Sequence, residues 1–331
     1  MKVTAVVVLA VSAVPLAACS SSALVVGGAG AVPEERVFLT TSTPPSALEG
    51  AVEAVTRGAP PPLALQDEGA GTEVVSTARR VTSESDPVGP YDQPEWTTRR
   101  RFARTRVYVL PEGQIEVEQW WRGTFDRGER ASHRFQAEIG VGLPGRFQFD
   151  LYGNYDHDDG TTNWVGLQPE LRWAPADWGV IPLNPTLYVE YKWNHHENDV
   201  FEGKVLLGDE ICRDWHWGMN LSVEQTLGGE RDTELAVTQA ISYTLADRQF
   251  SVGAEFEYDR VTAEGSRDDQ EHEFYAGPSI QWRPNERMHV DLVPLKGWHD
   301  AHTWRVFLVV GWDFGGRVDD GPRSPVSSKS R

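Results

Sequence analysis

Between Gly113 and Phe314 apolar and polar residues alternate in segments of about ten residues, the length and period that a membrane-crossing β-strand requires. Successive side chains of a pleated strand point to opposite faces, so a period of two separates an apolar face from a polar one. Trp215, Trp217, Met219, Leu221 and Val223 fall on one face of such a segment, with His216, Gly218, Asn220, Ser222 and Glu224 on the other. Phe147, Phe149 and Leu151 interleave in the same way with Gln148, Asp150 and Tyr152, and Leu187, Val189, Tyr191 and Trp193 with Tyr188, Glu190, Lys192 and Asn194. Phe250, Val252, Ala254, Phe256 and Tyr258 oppose Ser251, Gly253, Glu255, Glu257 and Asp259. A helical period would scatter these sets. In lipid every backbone N–H and C=O must pair within the protein, so strands cross a bilayer only when closed into a barrel without edges. The pattern predicts an all-β protein, an antiparallel up-and-down transmembrane β-barrel over residues 113–314.

About twelve strands fit this block, at roughly seventeen residues per strand and connection. They begin near Gln114, Ser132, Phe147, Trp164, Pro185, Lys204, Trp215, Thr233, Gln249, Glu271, Met288 and Thr303. An even number returns both termini to one side, where short turns are expected at Pro144-Gly145, Arg213-Asp214, Asp247-Arg248 and Asn285-Glu286. Longer connections at 156–163, 195–203, 262–270 and 296–302 would face outside. The segment 174–184 is long yet falls on the short-turn side, against the rule. Tryptophan offers a second reading, because amphipathic rings collect at both membrane interfaces. Trp121, Trp164, Trp193, Trp298 and Trp304 map to the outer rim, and Trp173, Trp178, Trp215, Trp282 and Trp312 to the inner one. A soluble sandwich also alternates, with its apolar face inside, but the two belts and an export signal favour the membrane. Pro169, Pro278 and Pro294 interrupt candidate strands, and each predicts a bulge or a shortened strand because it removes a ladder donor.

The polar face supplies the candidate chemistry. On this register the lumen is lined by Glu116, Glu118, Glu138, Asp150, Glu170, Glu190, Glu224, Glu255, Glu257, Asp259, Asp291 and Asp313, against Arg122, Arg172, Lys192 and Arg305. The whole chain carries −18 from 31 basic and 49 acidic residues. Of these, 10 basic and 12 acidic residues precede Gly113, and 4 basic and 2 acidic follow Phe314, so 17 basic face 35 acidic residues in the barrel block, again −18. Such a block argues against nucleic acid as a partner. An acidic wall in a narrow passage concentrates cations and repels anions, so small cationic or neutral solutes are the expected cargo. The alternative is that these side chains pair with one another and fill a small barrel.

The N-terminus reads as an export signal over residues 1–19, a lysine followed by an apolar run at 3–16 and then small residues. Leu16-Ala17-Ala18-Cys19 resembles the lipobox of bacterial lipoproteins, which implies lipidation at Cys19, while cleavage after Ala23 fits the small-residue rule nearly as well. Residues 20–112 read as a disordered or plug-like periplasmic segment. Up to Asp92 the segment is rich in Ala, Gly, Pro, Ser and Thr without a sustained period, apart from a possible helical turn at 47–56. Then Arg99, Arg100, Arg101, Arg104 and Arg106 form a basic cluster just before the first strand. A solvated basic linker is the favoured reading, with threading into the acidic lumen or contact with lipid phosphates as alternatives. Residues 315–331 form a polar tail.

The last strand, with Trp304, Val306, Leu308, Val310, Trp312 and Phe314 on one face, resembles the C-terminal signal of Gram-negative outer-membrane β-barrels. That resemblance implies the outer membrane, contact with its lipid and lipopolysaccharide, and recognition by the barrel-assembly machinery; the chain departs from it in continuing beyond Phe314. There is a looser similarity to small transporter-like barrels associated with aromatic degradation. Outer-membrane hydrolases resemble a catalytic His with Ser two residues on, whereas His216 is followed by Trp217 and Gly218, so no catalytic residue is assigned. His195-His196-Glu197 and His299-Asp300 with His302 suit a transition metal in composition, and Asp156, Asp158 and Asp159 suit Ca²⁺, yet neither has the spacing of a built site, and no metal or cofactor is assigned. The expectation is a passive channel or transporter, with a non-conducting structural or adhesive barrel, or less readily a hydrolase, as the rival.

Overall fold

The structure, a computed structural model, describes residues 83–229, 231–245, 248–299 and 301–315. The expected export signal, Cys19, the helical turn expected at 47–56 and the expected polar tail after residue 315 lie outside them. Two short strands, β1 (Pro87–Val88) and β2 (Gln93–Pro94), pair with each other. Twelve more close into a single barrel: β3 (Gln114–Phe125), β4 (Ser132–Leu143), β5 (Phe147–Asp158), β6 (Thr161–Trp173), β7 (Thr186–Asn194), β8 (Val200–Cys212), β9 (Trp215–Thr226), β10 (Thr233–Leu245), β11 (Phe250–Thr262), β12 (Gln270–Asn285), β13 (Met288–His299) and β14 (Trp304–Gly315). Each is antiparallel to the next, and β14 pairs with β3 to leave no edge. This is the all-β, up-and-down barrel that the alternation predicts. β6 and β8 begin earlier than expected, at Thr161 and Val200, because pairing continues past the apolar band into polar residues.

The apolar set faces out. Leu187 is 47% exposed and Leu221 43%, whereas Glu116 on the opposite face is 1% exposed, which inverts the arrangement of a soluble barrel. Trp164, Trp193, Trp298 and Trp304 stand exposed toward one end, and Trp282 and Trp312 toward the other, as interfacial belts require. Trp178 does not join its belt; it packs inward against Trp96 and Tyr108. The β5–β6 connection, expected as a long loop, is a tight hairpin turn with positive φ at Asp159 (51°) and Gly160 (77°), the conformation of a two-residue turn matched to strand twist. At Pro169, Pro278 and Pro294 pairs are missing from a ladder, but the register carries through. The register shifts lie elsewhere, between Asn154 and Tyr155, Glu210 and Cys212, and Trp282 and Asn285.

One expectation fails outright. The segment with the arginine cluster is not a solvated linker: Arg99, Arg100 and Arg101 are each 7% exposed or less, and the chain around them lies inside the barrel. The carboxylates of the lumen wall supply the reason, as described below.

Because the outward face is solvated by lipid, position along a strand sets the cost of a charge there. Leu221→Arg, near the middle of β9, should cost about 2–4 kcal/mol, and Leu187→Arg, near a strand end, about 0–1 kcal/mol. Urea titration of folding into lipid vesicles measures both; equal costs would contradict the assigned band.

Candidate functional site: a lumen filled by its own arginine segment

From Gln93 to Pro111 almost every residue is buried. A 3-10 turn, Glu95–Thr97, follows β2, and the chain then climbs into the lumen and returns to leave at Pro111, where the Gln114 N–H donates to the Pro111 carbonyl and the Gly113 N–H to that of Gly142. Glycine makes the seat. Gly208 and Gly218 face each other across β8 and β9. A Cβ on Gly208 would lie 2.1 Å from Val107 Cγ1, and one on Gly218 would meet Thr105, Val107 and Phe102 at 3.0–3.2 Å.

Charge holds the segment there. Arg100 Nε donates to both oxygens of Glu118 at 2.7 and 2.8 Å, and its Nη2 to Glu138 at 3.2 Å, while its guanidinium lies 3.9 Å over the Trp120 ring. Trp120 Nε1 in turn donates to Glu118 (2.9 Å) and Glu138 (3.0 Å). Arg106 reaches Glu138 at 2.6 Å and lies 3.8 Å from Glu116. Arg104 Nη2 pairs with Glu257 at 2.5 Å. Glu255 accepts the backbone N–H groups of Ala103 and Arg104, each at 2.8 Å. Nearer the mouth on the side of the termini, Arg101 grips Glu84 through two contacts of 3.2 Å and donates to Ser242 at 2.9 Å. Glu84 also accepts from Arg283 and from Thr244. Burial alone would raise the Glu84 carboxyl, but the Arg283 and Arg101 guanidinium groups outweigh it and hold the group well below the ordinary carboxylate range.

Backbone groups of the segment are met by wall side chains as well. Gln148 accepts from the Leu110 N–H (2.7 Å), and Asn220 both accepts from the Arg106 N–H (2.8 Å) and donates to its carbonyl (2.6 Å). Contacts thus come from strands all round the wall. A cavity of about 30 Å³ remains beside Trp96, Arg99, Arg101 and Tyr108.

The long 174–184 connection, anomalous in the sequence, closes this arrangement. Tyr108 Oη donates to the Ala176 carbonyl at 2.7 Å, the Trp178 N–H donates to the Tyr91 carbonyl at 3.0 Å, and Arg146 pairs with Asp177 at 2.9 Å. Trp178 meets Trp96 and Tyr108 edge to face, with ring centroids 5.6 and 5.3 Å apart. The connection is a cover over the base of the inserted segment.

The sequence-selected residues divide into two groups. Glu116, Glu118, Glu138, Glu255 and Glu257 face the inserted segment. The rest, except Arg122, which has no ion pair or hydrogen bond among the described residues, pair within the wall: Asp150 with Arg172 (3.4 Å), Glu170 with Arg172 and Tyr152, Glu190 with Tyr188 and Lys192, Glu224 with Lys192, and Arg305 with Glu257 (3.3 Å), Glu273 (3.2 Å) and Asp259 (3.9 Å). Lumen residues missed from sequence include an apolar stripe of Trp120, Tyr275, Val293, Leu295, Phe307 and Val309. Its trace is the unbroken apolar run at 306–310, where alternation lapses because both faces are apolar. Glu116, Glu118 and His289 converge in the manner of metal ligands, but Glu118 is already engaged by Arg100 and Trp120, and His289 Nδ1 by Asp291 at 2.6 Å.

With this geometry in view, comparison with known proteins is informative about fold. A family model described as "Putative MetA-pathway of phenol degradation" matches residues 212–308, less than half of the chain. No curated protein matches. Among solved structures, an outer-membrane channel from Pseudomonas putida F1 is similar with a TM-score of 0.50 at 10% identity, covering 65% of this chain and 100% of that one. The KdgM porin (TM-score 0.43, 9% identity, 61% and 99% covered) and the NanC porin (0.41, 12%, 61% and 98%) also match. The likeness is one of fold: this chain has the closed barrel of outer-membrane proteins.

Removing one partner of a buried ion pair strands the other, at about 3–5 kcal/mol. Arg100→Met should therefore loosen the segment, and trypsin, slow at Arg99–Arg106 in the folded wild type, should cleave there first in the variant. Unchanged cleavage would contradict the pairing. Because Glu84 titrates below its ordinary range, its contribution is complete above about pH 4.5 and declines as the pH falls below that. Protection from an acid-active protease should fall over that range in the wild type and less in Glu84→Gln.

Proposed function

We propose that the chain is an outer-membrane channel for small cationic or neutral solutes that is closed by its own residues 83–112 and conducts when they are displaced. The observation that carries this reading is the match between plug and wall. The plug's arginines answer carboxylates that would otherwise line an open acidic lumen, so displacing them leaves Glu116, Glu118, Glu138, Glu255 and Glu257 facing the passage. An acidic, partly desolvated passage favours cations. On this reading the short turns face the periplasm, as in outer-membrane barrels generally, and the plug's entry and its Trp178 cover lie on that side. On this reading the surrounding partners are outer-membrane lipid, lipopolysaccharide and the barrel-assembly machinery.

A neutral aromatic solute is a second reading of the cargo. It is favoured by the apolar stripe running down one side of the lumen and by the phenol-degradation description of the matching family.

Planar-bilayer recording tests the closure. The wild type should be mostly silent, and Arg100→Gln with Arg104→Gln and Arg106→Gln should show long openings with a reversal potential of cation preference in a KCl gradient. Silence of both proteins under all voltages would instead support the non-conducting structural barrel.

A further inference from the structure

Three residues on three neighbouring strands form a row across the lumen wall, close to the turn that joins β12 to β13. His289, the second residue of β13, stands directly across from Gly311 on β14, and Gly311 directly across from Glu118 on β3. The middle position has to be glycine: a Cβ on Gly311 would lie 2.0 Å from His289 Nε2 and 2.6 Å from its Cε1. With that space open, the imidazole lies over the middle strand and brings Nε2 to β3, 3.3 Å from Glu118 Oε1 and 3.9 Å from Glu116 Oε1. His289, Glu116 and Glu118 are all buried, and Nε2 makes no hydrogen bond.

These separations suit a shared metal ion. Bonds of 2.0–2.1 Å to a tetrahedral zinc ion put neighbouring ligand atoms roughly 3.3–3.4 Å apart, which is the distance from Nε2 to Glu118. The other ring nitrogen is arranged to match. Nδ1 lies 2.6 Å from Asp291 Oδ2, and a histidine that donates through Nδ1 to a carboxylate presents a bare and more basic Nε2 to a metal. Glu118 keeps its other contacts in such a site, because Arg100 and Trp120 donate N–H groups to it, as the neighbours of a metal-bound carboxylate do. Charge agrees. Among the described residues the ion-pair partners of Glu116, Glu118, Glu138 and Asp291 are Arg100, Arg106 and His289. With His289 neutral, as a metal ligand must be, four carboxylates face two guanidinium groups, a deficit that one divalent cation makes up. Glu116 also borders the cavity beside Trp96 and Arg101, where a water can complete the ligand set.

We infer that His289, Glu118 and Glu116 bind a divalent transition metal of the zinc type, with Asp291 orienting the imidazole and Gly311 making room for it. One imidazole with carboxylates and water suits zinc, whereas Mg²⁺ and Ca²⁺ take oxygen ligands. The site goes beyond the channel reading and does not rest on it. Wall residues alone supply the ligands, and the ion joins β3 to β13 at the carboxylate on which Arg100 docks.

Equilibrium dialysis of untagged full-length protein in detergent against Zn²⁺, after treatment with a chelator, tests it, with bound metal measured by mass spectrometry. The wild type should hold one Zn²⁺ that excess Mg²⁺ does not displace. His289→Gln should weaken that site at least tenfold, and so should Gly311→Ala, which keeps every ligand but fills the space the ring needs. Replacing the loop residues His195 and His196 by alanine should leave it unchanged. Heat-modifiable migration of each variant separates a lost site from a lost fold. X-ray absorption of the wild type with one equivalent of Zn²⁺ requires no variant to fold, and should show a single imidazole nitrogen with oxygen ligands at about 2.0–2.2 Å. Two or more imidazoles on the ion, undiminished binding by both folded variants, or no binding by the wild type would each overturn the inference. Because no current is measured, its failure is distinct from failure of the channel reading.

Discussion

A ring of carboxylates inside a lipid-embedded barrel cannot remain charged without counter-charge, and the rest of this structure depends on where that counter-charge comes from. Desolvating an ion costs several kcal/mol even after the surroundings relax, and only close partners offset it. On one part of the wall the barrel answers itself, through Arg172, Lys192 and Lys204. On the other the answer comes from a separate stretch of chain, through Arg100, Arg104 and Arg106. The inserted segment is therefore a missing half of the barrel's electrostatics, and its conformation follows from the wall more than from its own sequence. Its backbone has little regular structure, so side chains such as Glu255, Asn220 and Gln148 take the hydrogen-bonding role that a ladder would otherwise fill.

Packing reinforces charge at both ends of the segment. The facing pair Gly208 and Gly218 leaves room for Val107, Thr105 and Phe102, and the aromatic cover formed by Trp178 seals the base around Trp96 and Tyr108. A segment held only by ion pairs would weaken steeply with salt. One held only by apolar contacts would give the wall carboxylates no partner. The combination makes closure firm while leaving its strength dependent on groups whose charge can change, Glu84 among them.

The barrel was legible in the sequence because a lipid-facing surface imposes a strict period of two, and Trp215 to Val223 or Leu187 to Trp193 could satisfy it only one way. Strand ends were less legible. Thr161 and Val200 begin strands beyond the apolar band, where pairing is set by a hairpin turn at Asp159-Gly160 or by the neighbouring strand and leaves no mark in hydrophobicity. The plug could not be read from its own composition, since Arg99 to Arg106 looks the same solvated or buried, and the deciding partners, Glu118 and Glu257, are distant in sequence. Two clues were present. The long connection at 174–184 broke the short-turn rule because it covers the plug, and the excess of inward carboxylates had no counter-charge within the strands. The apolar stripe through Phe307 and Val309 was hidden in a run apolar on both faces, which alternation cannot assign.

The central claim is that the arginine segment is an integral part of the closed barrel. Hydrogen–deuterium exchange of the full-length protein in lipid nanodiscs tests it most directly, through the amides of Ala103, Arg104, Arg106 and Leu110, each bonded to a wall side chain. The account predicts that these amides exchange as slowly as those of the flanking strands β9 and β11. Exchange within seconds, at the rate of a solvated linker, would contradict it.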